Sequence, residues 1–143
     1  WRCEGLGVLE DLGGHLLVLI AYLLAYQGSD IEPISLGKYE SRGPDHCRLM
    51  TKDQRILLEM SFLSWKNTFV IELYGEHGSL HLSGLRKWGP SELIIRQRVR
   101  PSGIPEERHS TSSGPDITWE EDIQFFEKQV KSRQTSLKND LCI

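Results

Sequence analysis

The sequence predicts an α+β fold: an open, mostly antiparallel β-sheet with helices packed on one face. Three observations predict it. Short strand-like segments follow one another between residues 31 and 99 with no helix among them, the pattern of antiparallel rather than crossover pairing. An apolar helix precedes them and an amphipathic helix follows them. The chain has 143 residues, 38% apolar and 26% charged, which suits one domain over residues 1–143 with a core of its own.

The first helix is expected over Val8 to Tyr26, where Leu16, Leu17, Val18, Leu19, Ile20, Tyr22, Leu23 and Leu24 leave hardly a polar face. A helix apolar all round needs cover on several sides. Gly28 is placed to end it in the left-handed conformation. Ile31 to Tyr39 is a weak strand, and Pro33 assigns it to an edge or a strand start. Ser41 to Pro44 breaks the chain. Arg55 to Leu63 alternates, with Ile56, Leu58, Met60 and Phe62 on one face. Asn67 to Tyr74 repeats the device with Phe69, Ile71 and Leu73. Gly75-Glu76-His77-Gly78 is a hairpin turn, Ser79 to Leu82 the strand leaving it, and Ser91 to Val99 another strand.

Pro101 to Pro115 is rich in Pro, Gly, Ser and charge and is expected to be a surface loop. A second helix is capped by Asp116 or by Thr118, since Thr118-Trp119-Glu120-Glu121 fits a capping box. Its Trp119, Ile123, Phe126 and Val130 form one stripe for packing on a sheet. After Lys131 the tail is polar until Leu141 and is expected to fray.

Composition excludes several classes. A net charge of −3 gives no electrostatic footprint for nucleic acid. The run from Leu16 to Leu24 is about half of the roughly 18 residues a membrane span requires, so no membrane partner is expected. Cys3, Cys47 and Cys142 are odd in number and far apart, which argues against a disulfide framework and for a reducing, cytoplasmic location. The chain opens on Trp1 rather than Met and reads as a fragment of something longer.

Few residues carry chemistry. Gly5-Leu6-Gly7-Val8-Leu9-Glu10 starts like a dinucleotide fingerprint but has Glu10 at the third glycine and no strand before it. His77 and His81 lie across a turn from each other and lack a third ligand. Asp11-Leu12-Gly13-Gly14-His15 is sharper. On a helix, Asp11 and His15 stand one turn apart on one face. A carboxylate beside an imidazole fixes its tautomer and tunes it as a general acid or base. Gly13 and Gly14 would admit a substrate close to the backbone. On spacing alone, Asp11 as a helix cap and His15 as a polar first-turn residue is the favoured reading.

Gly7-Val8-Leu9-Glu10-Asp11-Leu12-Gly13-Gly14-His15-Leu16 resembles the Gly-x-x-x-Asp-x-Gly-x-His segment of the glucose–fructose oxidoreductase/inositol dehydrogenase (Gfo/Idh/MocA) family, where it opens the long helix of the C-terminal domain. Ile71 to Leu80 is similar to that family's glycine hairpin, and Trp119 to Val130 to its closing helix. The resemblance implies the α/β C-terminal domain of a dihydrodipicolinate-reductase-like oxidoreductase, a fragment lacking its N-terminal Rossmann domain. It implies Asp11 and His15 as catalytic residues, Gly13 and Gly14 at the substrate, and NAD or NADP as cofactor of the intact protein, with none bound by this fragment alone. It further implies a sugar or polyol substrate, the chain's own Rossmann domain as partner, and a homodimer through the sheet. The family's catalytic Lys, in Glu-Lys-Pro, has no match here, since Glu127-Lys128-Gln129 falls in the closing helix. Val18 stands where many members carry a second Asp.

Two functions follow. One is the substrate-binding and dimerisation domain of an NAD(P)-dependent oxidoreductase, inactive alone. The alternative is a non-catalytic protein-interaction domain that keeps the fold. A heme- or lipid-binding sheet domain has no residues in its favour beyond the fold class.

Overall fold

A computed structural model describes residues 5–27 and 30–132. The chain is α+β, with two antiparallel sheets and two helices. The described residues fall into two compact units divided between Trp65 and Lys66.

In the first unit, a π-helical turn over Leu9–Gly13 runs directly into helix α1, Gly14–Leu24. The helix stops because Ala25 takes a left-handed φ of 50°. Gly28, expected to do this, lies outside the described residues. Strands β1 (Ile31–Gly37), β2 (His46–Thr51) and β3 (Leu57–Ser61) form a sheet in that order. Pro33 sits on edge strand β1, beside the register shift between Pro33 and Ser35, where a missing N–H costs no ladder bond.

Strand β2 was absent from the sequence expectation, yet it is the sheet's centre. Its Cys47, Leu49 and Thr51 point inward. Cys47 and Leu49 join Leu58 and Met60 of β3, Val8 and Ile20 in one core, with Ile56, Phe62, Leu16 and Leu17 packed around it. The expected inner face of β3 is therefore the observed one. Helix α1 is covered on one side only: Ile20 is buried, but Tyr22 is 85% and Val18 48% exposed. That corrects the expectation of cover on several sides, because a single sheet face reaches only one stripe of a helix.

In the second unit, β4 (Val70–Gly75), β5 (Gly78–Ser83), β6 (Ser91–Gln97) and β7 (Glu106–Ser112) pair in chain order. Gly75 pairs with Gly78, leaving Glu76-His77 as the expected two-residue turn. A side chain at Gly78 would collide with the Arg96 carbonyl, since its β-carbon would stand 2.1 Å from that oxygen. Register puts Ile71, Leu73, Leu80, Leu82, Leu93 and Ile95 on one face. The other face carries Glu72, His81, Ile94, Arg96, Glu107 and His109.

Strand β7 corrects the loop expected over Pro101 to Pro115. All its side chains are exposed, so it has no apolar pattern to read. It is held by main-chain pairing to β6 and by Arg96 Nε donating to Glu107 Oε1 at 2.6 Å. Helix α2, Thr118–Ser132, is capped by Asp116, whose Oδ1 accepts from the Thr118 amide at 3.0 Å and its hydroxyl at 2.6 Å. Its stripe does not lie buried on a sheet as expected: Trp119 and Phe126 are each 67% exposed.

Candidate functional site

Asp11 lies inside the π-helical turn and His15 in the first turn of α1, on one uninterrupted helical run. A π-turn within a helix often marks a functional position. The Asp11 amide donates to the Gly7 carbonyl at 3.2 Å, and its side chain is half-buried. His15 is exposed, and its side chain makes no hydrogen bond or ion pair with the described residues.

The two glycines differ. Gly13 is buried, and a β-carbon there would stand 2.9 Å from Leu9 Cδ1 and 3.7 Å from Met60 Sδ. Its lack of a side chain serves the approach of the helical run to β3. Gly14 is exposed with no atom within 4 Å of where a β-carbon would be. The surface over Gly14, beside His15, is open to solvent, whereas Gly13 is covered.

The approach to this site is pinned. Gly7 has φ of +53°, and a β-carbon there would meet the Pro44 carbonyl oxygen at 2.1 Å. Val8 donates its amide to that same oxygen at 2.8 Å. Gly7 and Val8 therefore pack on the loop before β2, and the segment does not form a cradle for a pyrophosphate. These residues do not fit a dinucleotide.

Elsewhere, His81 Nδ1 lies 3.2 Å from Glu72 Oε1 on the neighbouring strand. His109 lies 3.1 Å from Glu107 and 3.8 Å from Glu92. These are cross-strand or same-strand surface pairs, and no group of three metal-ligating side chains occurs among the described residues. The hydrogen bond from Arg96, then that from His109, holds the Glu107 carboxyl below its usual range. Cys47 is buried, and desolvation raises its thiol; Cys3 and Cys142 lie outside the described residues. A shallow cavity of about 420 Å³ at the hairpin end, floored by Leu73, Leu80 and Ile95, belongs wholly to the second unit.

Sequence reasoning passed over two features. Asp45 is 1% exposed and its carboxylate collects three main-chain amides from the loop before it. Arg86 holds a buried Nε without an acceptor among the described residues. An Asp directly after a Ser-Arg-Gly-Pro break is the signal that could have marked the first; the second has none in the local sequence.

No helix among the described residues is long and apolar enough to cross a membrane. Comparison with family models, with curated proteins and with solved structures finds no match.

Proposed function

We propose that this chain is the C-terminal substrate-binding and dimerisation domain of an NAD(P)-dependent sugar or polyol oxidoreductase of the Gfo/Idh/MocA type, working in the cytoplasm. The observation that carries the reading is the single helical run holding Asp11 and His15 a turn apart, with open space over Gly14. His15, in solvent reach, accepts or donates the substrate hydroxyl proton. Asp11 orients that imidazole in the closed complex. The nicotinamide would be held by a Rossmann domain outside these 143 residues, because Gly7 is packed against Pro44.

The dimer would form through a sheet face that mixes charge with apolar groups. In the second unit such a face presents Ile94 among Glu72, Arg96 and Glu107, which can cross-pair under a two-fold axis. Sedimentation across a wide concentration range tests this, and a strictly monomeric chain at high micromolar concentration refutes it.

The reading as a non-catalytic interaction domain draws on the exposed stripe of α2. One experiment separates the two. The complete coding sequence is expressed and assayed for polyol-dependent reduction of NAD or NADP. Turnover that falls with His15→Ala supports the enzyme; no turnover with any of a broad polyol panel supports the interaction module.

A further inference from the structure

Every apolar side chain fully buried among the described residues belongs to the first unit: Val8, Ile20, Cys47, Leu49, Leu58 and Met60. The second unit buries none, although its sheet gathers Ile71, Leu73, Leu80, Leu82, Leu93 and Ile95 on one face. Five of these are half-buried and Ile95 is exposed. Helix α2 carries a matching surplus. Trp119, Ile123, Phe126 and Val130 form its apolar stripe, and each is at least 57% exposed. A contiguous apolar surface left bare on a folded unit marks an interaction site.

The two surfaces fit each other in size and charge. From Trp119 to Val130 the stripe runs about 17 Å along the helix axis. Four paired strands span about 14 Å. The helical repeat puts Glu120 and Glu127 on one flank of the stripe and Asp122 on the other. On the sheet, Arg108 pairs with Ile95 and lines the same shallow cavity as Leu73, Leu80 and Ile95. Its side chain makes no hydrogen bond or ion pair with the described residues. The apolar face therefore ends in an uncompensated cation at the β7 edge. Glu106 lies one row further out, beside Gly75 and Gly78 at the hairpin end.

In the single chain the stripe stays bare because the start of α2 is held elsewhere. Asp116 caps it through the amide and hydroxyl of Thr118. Lys87 Nζ stands 5.8 Å from the centre of the Trp119 ring, within cation–π range. Gly114, with φ of +131°, turns the chain so closely against Arg86 that a β-carbon would stand 3.0 Å from Nη2. We propose that α2 lies across the apolar face of β4 to β6 in a second copy of this chain, the two copies exchanging helices about a two-fold axis. Each chain offers one helix and one face, so a pair covers both and leaves nothing to extend. An acidic flank of the stripe then meets the partner's Arg108, and an aromatic ring seats in the cavity beside it. This contact uses the face opposite the charged one assigned to the dimer above and is independent of it.

Sedimentation equilibrium of the full chain tests the exchange. The wild type should associate reversibly. Phe126→Glu on the stripe and Ile95→Glu on the face should each weaken that association about ten-fold or more, because each puts a charge into both reciprocal contacts. An equimolar mixture of the two variants should regain part of the loss, since the helix of one and the face of the other leave one contact whole. Ile94→Glu, on the opposite face, should leave this contact intact. Association lost in Ile94→Glu but kept in Phe126→Glu assigns the dimer to the charged face and overturns the exchange. A monomeric wild type overturns it too, as does a mixture no stronger than its components, the outcome expected if α2 covers its own sheet. Phe126 is exposed on a helix surface, so that variant keeps its fold. Should Ile95→Glu unfold, Phe126→Glu against Ile94→Glu decides the matter.

Discussion

The main-chain amide of Glu40 donates to Asp45 Oδ2 at 2.6 Å, and the amides of Tyr39 and Ser41 converge on the same carboxylate. The Asp45 main chain also binds Gly37 on one side and Phe62 on the other. One residue thereby ties the β1–β2 loop to the residue that leaves β3.

Burial alone would raise the Asp45 carboxyl, but the amides of Glu40, Tyr39 and Ser41 outweigh it and bring it below its ordinary 3.8. The folded state then binds its proton later than the unfolded chain does. Stability from this group is present above the unfolded value and is lost as pH falls through the lower folded one. Thermal melts across the acid range should show that loss in the wild type. Asp45→Asn should flatten it and lower the midpoint at neutral pH by roughly 5 °C or more, because its NH₂ cannot accept from the loop amides.

Gly7 is the backbone counterpart of that knot. With φ of +53° and the Pro44 carbonyl in the way, Gly7→Ala meets both left-handed strain and a main-chain clash. The cost should be about 1–3 kcal/mol, read as a lower denaturation midpoint with unchanged slope. A wild-type midpoint would mean that the segment before α1 does not rest on Pro44.

Strand β3 was legible because Leu58 and Met60 alternate with Glu59 and Ser61. Strand β2 was not, because its inward face is Cys47, Leu49 and Thr51, two of which are small and carry polar atoms. Thr51 is nevertheless buried, its hydroxyl bound to Asp53 at 2.6 Å and to the Ile56 amide at 3.1 Å. Strand β7 buries nothing, so only its pairing to β6 reveals it. The Asp11/His15 spacing was readable from a helix period. Its π-turn was not, because the fit of Gly13 between Leu9 and Met60 depends on a strand far along the chain.

The thiol of Cys47 sits in the core with no exposed surface, and desolvation raises its pKa. In a protein whose other two cysteines are replaced by serine, a thiol reagent should react at the global unfolding rate and not before. Reaction within seconds under native conditions would place β2 outside the core. Cys47→Ser should cost about 1–3 kcal/mol, because it buries a hydroxyl in the apolar core.

The site itself is tested by two neighbouring substitutions with opposite signatures. Gly14 has a helical backbone and open space at its β-position, so Gly14→Ala should stabilise the fold by about 0.4–1 kcal/mol. His15 is exposed and unbonded to the described residues, so His15→Ala should leave the unfolding midpoint where it is. In the complete enzyme, His15→Ala should lower kcat by about 100-fold or more, the usual scale of general acid–base catalysis. Gly14→Ala should instead raise KM for the sugar or polyol, because the added methyl occupies the space over the helix start. If both variants keep wild-type kcat and KM, the Asp11–His15 segment is a solvated helix start and the chemistry lies elsewhere.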